Sequence, residues 1–172
     1  HNVENVMAAA LATAEYFPGV LEALRGYGGL EHRMEYVATI NGVEYYNDTK
    51  ATNPHATTAV VNAFRDEPFW LLAGGHEKGS DFAELGILIA KRTRGALLYG
   101  QTRERIASTI PKGAQVETME TLAEAVSRAH QLATPGEKVI LAPACSSFDQ
   151  FDDFEQRGRI FKELVRALPH NR

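Results

Sequence analysis

Three short polar segments carry most of the side chains that could do chemistry, and each follows a run of apolar or β-prone residues. They span residues 48–53, 74–81 and 143–150. In open α/β sheets, ligands bind where the carboxyl ends of parallel strands meet, so we expect these segments to lie along one edge. Together they offer two lysines, several hydroxyl groups and the amino ends of helices. Such groups suit a ligand that carries carboxylates or phosphates.

A glycine-rich stretch beside a lysine is typical of phosphate-binding loops, but residues 74–79 do not match that motif. The pattern G-x-x-x-x-G-K-[ST] requires Ser or Thr after the lysine, and here Gly79 follows Lys78. No other segment of the sequence supplies the motif. We therefore expect that this chain by itself cannot hold a triphosphate for transfer.

Apolar runs predict the strands and helices that must position these segments. Residues 34–40 and 43–47 are β-prone and are joined by Asn41-Gly42, the strongest short signal for a hairpin. Further strands are predicted over residues 69–73, 95–99, 115–117 and 138–142. Helices are predicted over residues 53–64, 82–91, 103–109 and 119–133, and an apolar seam over residues 151–168 predicts a last helix.

Short buried strands that alternate with helices are typical of an α/β domain. We therefore expect a Rossmann-like, mostly parallel sheet with helices on both faces. Residues 2–16 predict an amphipathic helix, and a glycine-rich linker at residues 26–29 separates it from the sheet. His1 is not an initiator residue, so the natural protein is expected to extend further at this end. We assign residues 1–33 to a neighbouring domain and residues 34–172 to the α/β domain.

Composition and charge exclude several classes of function. The net charge is -4 and the 18 basic residues are scattered, which argues against a nucleic-acid-binding surface. Cys145 is the only cysteine, so no internal disulfide can form and a reducing cytoplasm is expected. No apolar run approaches the roughly 18 residues of a membrane-spanning helix. The histidines lack metal-ligand spacing, which predicts no metal site made by this chain alone.

Taken with their neighbours, the three polar segments resemble the C-terminal domain of the Mur ligases. The matching strings are N-D-T-K-A-T-N at residues 47–53, G-G-H-E-K-G-S-D-F at residues 74–82 and A-P-A-C-S-S-F-D-Q-F at residues 142–151, continued by F-E-Q-R-G at residues 154–158. The resemblance runs essentially from end to end in the right order. Sister enzymes usually carry D-Y-A-H-x-P at the first segment, so the D-[ST]-K-A-T-N form favours the branch that adds D-glutamate.

The resemblance implies an ATP-dependent, amide-forming ligase of peptidoglycan biosynthesis, and hence of cell wall, cell shape and cell division. Such an enzyme activates the carboxylate of UDP-N-acetylmuramoyl-L-alanine as an acyl phosphate, which the amine of D-glutamate then attacks. By the same resemblance residues 1–33 end the central ATPase domain, and residues 34–172 form the amino-acid-binding domain that closes over the site. The phosphate loop, the Mg²⁺ ligands and the uridine-nucleotide domain would precede residue 1. We therefore expect a cytoplasmic monomer in which this chain alone is inactive.

Carried over position by position, the resemblance also assigns roles to single residues. Those expected on the ATP side are Asn2, Asn5, His32, Arg33, Asp48 and Lys50. The asparagines and the histidine would contact adenine, and the aspartate would contact the ribose. Arg33 would reach the phosphates, and Lys50 would lie near the phosphates or the reacting carboxylate. The two cations, Arg33 and Lys50, are also the expected catalytic groups. The residues expected to hold the two carboxylates of D-glutamate are Thr52, Lys78, Ser147, Phe148 and Phe154.

Each of these residues also has an ordinary structural explanation. Asp48 and Asn53 fit turn and capping roles, and Thr52 could serve only that cap. Ser146 and Ser147 could cap the last helix. Other residues are of types that are most often solvated, namely His32, Arg33, Lys50, His76 and Lys78. Cys145 fits a small buried hydrophobe better than a nucleophile.

Two other functions stay open from the sequence. One is another amide-forming ligase of the same superfamily, of the folyl-polyglutamate or diaminopimelate-adding type. The other is a stand-alone Rossmann-like module for nucleotide binding or interaction. Against this second alternative, no G-x-G-x-x-G fingerprint follows the first strand.

Overall fold

The computed structural model describes residues 2–13 and 29–170, with the side chains of residues 2–6 excepted. The chain divides into two compact units, His1–Glu31 and His32–Arg172. In the first unit, helix α1 (Asn2–Thr13) confirms the predicted helix over its described part, while residues 14–16 and 26–28 lie outside the described residues. None of the helices in residues 2–13 and 29–170 combines the length and apolar character of a bilayer-spanning segment.

The second unit begins with the predicted hairpin. Strands β1 (Glu35–Ile40) and β2 (Val43–Asn47) pair antiparallel around the Asn-Gly turn. Both central residues have positive φ, 52° at Asn41 and 81° at Gly42, as a two-residue hairpin of this type requires. The first residue of β1 therefore pairs with the last residue of β2. As a result, the chain enters this unit at the carboxyl end of β2.

The remaining elements alternate along the chain as predicted. The strands are β3 (Phe69–Gly74), β4 (Gly95–Tyr99), β5 (Val116–Met119) and β6 (Lys138–Leu141). The helices are α2 (Pro54–Ala63), α3 (Ala83–Arg92), α4 (Arg103–Ala107), α5 (Leu122–Leu132) and α6 (Phe154–Arg166).

The six strands form one sheet in the order β1-β2-β6-β3-β4-β5. Only β1 is antiparallel, and every other neighbouring pair is parallel. Strand β6, the last in sequence, is inserted between β2 and β3. The three strands that precede the polar segments are therefore neighbours that run in one direction.

Helices cover both faces of the sheet, which explains why β3 and β4 are buried along their whole length. One face packs against α2, α3 and α4 through residues that include Val61, Leu85 and Ile106. The other face packs against α5 and α6 through Val126 and Phe161. This arrangement confirms the predicted α/β class with a mostly parallel, two-sided sheet.

One predicted boundary is wrong. Met119 was expected on the face of a helix over residues 119–133, but it ends β5, and α5 begins three residues later. The reason is a capping box, in which Thr121 accepts a hydrogen bond from the backbone of Glu124 while Glu124 accepts one from the backbone of Thr121. This reciprocal pair fixes the start of the helix after Met119.

Candidate functional site

The three polar segments meet at one edge of the sheet, because the strands before them are parallel neighbours. The segment at residues 143–150 lies in the middle and contacts both others. Its Ala144 backbone nitrogen donates to the Ala51 carbonyl at 2.9 Å, and its Ser146 carbonyl accepts from the His76 backbone nitrogen at 2.9 Å. The expected convergence is therefore present, with main-chain hydrogen bonds between neighbouring segments.

A buried arginine ties two of these segments together. Arg157, in the first turns of α6, is 0% exposed. Its Nε donates to the Thr49 hydroxyl at 2.9 Å and its Nη2 to the Thr49 carbonyl at 3.0 Å. Its Nη1 donates to the carbonyls of Cys145 and Ser146, each at 3.1 Å. One rigid guanidinium thus fixes the first and third segments relative to each other.

The second segment approaches the same guanidinium through a glycine. A Cβ atom on Gly75, whose φ is +139°, would lie 2.2 Å from the Ser146 carbonyl oxygen and 3.2 Å from Arg157 Nη1. A side chain there would collide with backbone that cannot easily move. Glycine at this position therefore allows the close approach of the second and third segments.

Lys50 is exposed at the tip of the first segment, and its side chain contacts the first residue of α6. Its Nζ lies 3.9 Å from the centroid of the Phe154 ring. The Phe154 carbonyl accepts a hydrogen bond from the Thr49 hydroxyl at 2.9 Å, which holds the start of α6 against the segment. The Phe154 ring meets the His32 ring edge to face, with centroids 6.3 Å apart. The structure thus groups His32, Lys50 and Phe154.

The surface interpretation of His32 is wrong, because the residue is only 6% exposed. The Asn47 side-chain nitrogen lies 3.1 Å from Nδ1 of His32. The ring fills the space left by Gly158, where an added Cβ would lie 2.3 Å from Nδ1. His32 therefore contributes packing between the first segment and α6.

Asp48 is buried beside Arg33, which is half-buried. Its Oδ1 accepts a hydrogen bond from the Met34 backbone nitrogen at 3.2 Å, and its own carbonyl accepts from Ala51 in the turn that follows. Burial raises the pKa of the Asp48 carboxyl to about 6, while the Met34 hydrogen bond and the charge of Arg33 partly oppose that shift. The residue therefore has the turn role expected of it and also places a carboxyl group between β2 and the residues before β1.

The predicted carboxylate-binding residues are distributed over all three segments. Thr52 is half-buried, Lys78 is exposed, and Ser147 is buried. Phe148 is 65% exposed, and its ring packs edge to face with that of His76, with centroids 6.4 Å apart. The Phe148 side chain therefore leaves most of its apolar surface open at this edge.

Neither Thr52 nor the pair Ser146 and Ser147 caps a helix, because other residues occupy the capping positions. Asn53 caps α2, as expected, by accepting a hydrogen bond from the Ala56 nitrogen at 2.9 Å, so the cap does not explain Thr52. Asp153 caps α6 through the Gln156 nitrogen, so the helix-capping explanation of Ser146 and Ser147 is wrong.

Cys145 is buried, as its interpretation as a small hydrophobe predicted. Its sulfur lies 3.2 Å from the Thr102 hydroxyl. Burial raises the pKa of the thiol to about 11, although the Thr102 hydrogen bond and the Arg157 charge oppose this. The thiol is therefore protonated at neutral pH, which agrees with the interpretation of Cys145 as a small buried hydrophobe.

A pocket of about 410 Å³ opens between the amino end of α2 and the second segment. Its lining includes Asn53, Thr58, Ser80 and Asp81. None of the described side chains that the sequence predicted for ATP or D-glutamate lines it. The predicted residues lie instead along the open edge beside the pocket. The side chains of Asn2 and Asn5 are outside the described residues.

Arg157 is the residue of this edge that sequence reasoning missed. Its only local signal is a position next to Gly158 on the apolar seam of the last helix. An arginine there is ordinarily solvated. Of its partners, Cys145 and Ser146 are 12 and 11 residues away in the sequence, whereas Thr49 is 108 residues away.

Comparison with known proteins identifies the family. The model of the family described as "Mur ligase, glutamate ligase domain" matches residues 32–145, about two thirds of the chain. The chain therefore belongs to the Mur ligase family and contains its glutamate ligase domain.

Two curated relatives indicate which member of this family the chain is similar to. Proteins named UDP-N-acetylmuramoylalanine–D-glutamate ligase from Caldicellulosiruptor bescii and Koribacter versatilis are 42% and 44% identical to it, each over 98% of the chain. The chain spans 38% and 37% of their lengths.

Solved structures of the family share the fold. MurC of Thermotoga maritima, a UDP-N-acetylmuramate-alanine ligase, gives a TM-score of 0.71 at 16% identity and covers 97% of this chain and 38% of its own. MurF of the same organism, solved in complex with ADP, gives 0.65 at 14% identity and covers 93% and 38%. At such low identity these likenesses describe the fold alone.

Proposed function

We propose that this chain is the C-terminal, amino-acid-accepting part of an ATP-dependent ligase that joins D-glutamate to UDP-N-acetylmuramoyl-L-alanine in peptidoglycan biosynthesis. The observation that carries the proposal is the meeting of the Lys50, Lys78 and Ser147 segments at one edge of the sheet. The relatives that are more than 40% identical over nearly the whole chain bear that enzyme's name, which favours this member of the family.

In this proposal, D-glutamate is held between the second and third segments. A dicarboxylate needs two separated groups that favour negative charge. Lys78 supplies a cation on one segment, and Ser147 with the main chain near Phe148 and Phe154 supplies donors on the neighbouring one. Thr52 contributes a hydroxyl from the first segment. Lys78 is exposed and Ser147 is buried, and the hydrogen bond from the His76 backbone nitrogen to the Ser146 carbonyl joins their two segments, which supports this division.

The nucleotide is assigned to the other side of the same edge. Lys50 and Arg33 act as cations that neutralise the phosphates and the developing charge of the acyl transfer. Asp48 binds the ribose. The buried His32 ring belongs to the adenine side, where it packs against Phe154. The resemblance also assigns Asn2 and Asn5 to adenine, and their side chains lie outside the described residues.

Mg²⁺ is assigned to residues outside this edge. The ion takes oxygen ligands, whereas the two side chains assigned here to the phosphates, Lys50 and Arg33, are cations and do not fit it. We place its ligands in a preceding central ATPase domain. Residues 1–33 would be the end of that domain and residues 34–172 the C-terminal domain, an assignment supported by the division into two units at residues 31 and 32.

The proposed reaction is an attack by the D-glutamate amine on the acyl phosphate of UDP-N-acetylmuramoyl-L-alanine. A new C–N bond forms, the bond from the acyl carbon to the phosphate oxygen breaks, and the amine loses a proton, so this step gives the amide and inorganic phosphate. ADP is released in the preceding step, when ATP transfers its γ-phosphoryl group to the carboxylate. The residues of this chain contribute orientation of the amine and neutralisation of charge. We propose that the enzyme works in the cytoplasm as a monomer.

The test is a phosphate-release assay on the longer protein that carries this chain, with ATP, UDP-N-acetylmuramoyl-L-alanine and one amino acid at a time. D-glutamate should support turnover, and L-glutamate and diaminopimelate should not. Turnover with diaminopimelate or with a folate substrate would instead favour the alternative ligases. The isolated chain should release no phosphate under the same conditions, and robust turnover by it would overthrow the assignment of the ATPase to another domain.

A further inference from the structure

A fourth strand-end segment, which follows β4, lies against two of the three segments already described. The side-chain oxygen of Gln101 accepts a hydrogen bond from the Glu77 backbone nitrogen at 3.0 Å. The Gln101 backbone nitrogen donates to the Asp149 carboxylate at 3.0 Å. Gln101 therefore connects the segment that carries Lys78 with the segment that carries Ser147.

Arg105, one turn further on in α4, holds the Lys78 segment from both sides. Its guanidinium forms an ion pair with Glu77, the residue before Lys78. Its Nη2 also donates to the Ser80 carbonyl at 2.5 Å, two residues after Lys78. The guanidinium carbon lies 5.5 Å from the centroid of the Phe82 ring. A single side chain therefore contacts the loop on each side of its tip.

The tip itself is a turn that needs such support. Gly79 has φ +73°, and its backbone nitrogen donates to Glu77 Oε1 at 2.5 Å, so the carboxylate that pairs with Arg105 also closes the turn. The hydrogen bond from Arg105 is the main cause that lowers the pKa of Glu77 below its usual value. The carboxylate is therefore charged at neutral pH and available to both partners.

An exposed loop of this kind is otherwise free to sample many conformations. Fixing its backbone in one conformation costs conformational entropy. A loop that is already held loses less when its lysine binds a ligand, which strengthens binding without a new contact. Guanidinium suits this task because its rigid fork can serve a carboxylate and a carbonyl at once, whereas an ammonium group is a point charge.

We propose that Arg105, with Glu77 and Gln101, is a positioning residue that sets where Lys78 stands relative to the Ser147 turn. The segment that follows β4 thereby fixes the spacing between Lys78 and the Ser147 turn. This spacing favours amino acids with a second carboxylate at that distance. This inference rests on the proposed role of Lys78 in holding D-glutamate. Arg105 itself touches no substrate.

The kinetic test uses Arg105→Met and Arg105→Lys in the complete ligase. Arg105→Met should raise the KM for D-glutamate by about five- to tenfold and change kcat and the KM for ATP by less than about twofold. Arg105→Lys should show a smaller rise, because lysine keeps the ion pair but loses the fork. An unchanged KM for D-glutamate in Arg105→Met, or equal changes for both substrates, would overturn the inference.

Arg128→Met is the matched control. Arg128 forms an ion pair with Glu117 in which the two side chains are 38% and 34% exposed, much like Arg105 and Glu77 at 45% and 31%. Its pair lies between β5 and α5, away from the Lys78 loop. The control should leave the KM for D-glutamate unchanged, and a rise equal to that of Arg105→Met would also overturn the inference.

A second measurement does not depend on ligase activity. Amide hydrogen exchange of residues 76–82 should become faster in Arg105→Met than in the wild type, with α3 unchanged as an internal reference. Unaltered exchange in these residues would sink the positioning role even if the kinetics changed. If the wild-type ligase fails to use D-glutamate while the exchange difference is seen, the proposed function fails and the clamp on the loop stands.

Discussion

The side-chain nitrogen of Lys50 lies over the ring of Phe154, 3.9 Å from its centroid, although the two residues are more than a hundred positions apart. A cation above an aromatic face is worth about 0.5–1 kcal/mol at an exposed site. The ring is itself held by the Thr49 hydroxyl on the Phe154 carbonyl and by the edge of His32. The position of the Lys50 side chain is thus set by Phe154 of α6 as well as by its own loop.

Phe154→Leu should lower kcat of the complete ligase by about two- to fivefold, because this range corresponds to the free energy of the lost cation–π contact. The KM for UDP-N-acetylmuramoyl-L-alanine should change little. Steady-state kinetics with all substrates saturating measures the effect. Phe151→Leu is the control, since Phe151 is a partly buried aromatic that packs into the core instead. Equal losses in both variants would contradict the role of the ring.

Lys78→Ala should raise the KM for D-glutamate by about tenfold or more, since a charge-assisted hydrogen bond contributes roughly 1.5–3 kcal/mol. The KM for the UDP substrate should stay within about twofold. Lys91→Ala, which removes an exposed lysine at the end of α3, provides the control. Parallel increases for both substrates would count against the assignment of Lys78.

Arg157→Met should lower the free energy of unfolding by about 2–4 kcal/mol, because several buried oxygen atoms lose their donor. Urea unfolding of this chain measures the loss. Arg159→Met, two residues along the same helix, removes an exposed arginine whose partner is Glu155 and should cost less than about 0.5 kcal/mol. A similar stability for the two variants would show that the buried guanidinium does not hold the segments together.

Asp48 should make stability depend on pH. Its pKa is about 6 in the folded chain, above its ordinary value of 3.8, so the folded state binds the proton more tightly than the unfolded state. The contribution of Asp48 to stability should therefore be greatest below about pH 4 and decline as the pH rises through about 6, by roughly 1–3 kcal/mol. Asp48→Asn cannot titrate, so its difference in unfolding free energy from the wild type should change across this window. A constant difference between pH 4 and 7.5 would refute the raised pKa.

Features that depend on neighbouring residues could be predicted from the sequence. Asn41-Gly42 identified the hairpin because few residue pairs accept two positive φ angles. Asn53 before Pro54 identified the start of α2, since the amide oxygen caps the helix and proline needs no donor in the first turn. The convergence of the polar segments followed from the direction of parallel strands.

Long-range packing could not be predicted in the same way. An apolar pattern does not state the order of strands, so the insertion of β6 between β2 and β3 had to come from the structure. The burial of Arg157 and the reach of Arg105 to Glu77 are likewise invisible in sequence, because arginine is ordinarily solvated and their partners are distant. His32 is a similar case, a polar residue of a turn that is buried against Gly158 of α6.

The antiparallel direction of β1 decides which residues lie at the edge that carries the polar segments. Since Glu35 pairs with Asn47, the polypeptide joins this unit beside the loops and not at the opposite end of the sheet. The residues just before β1 therefore belong to the same edge as the three polar segments, where the His32 ring meets Phe154 and the Met34 backbone nitrogen donates to the Asp48 carboxylate. With a parallel β1, these residues would lie at the opposite end of the sheet and both contacts would be lost.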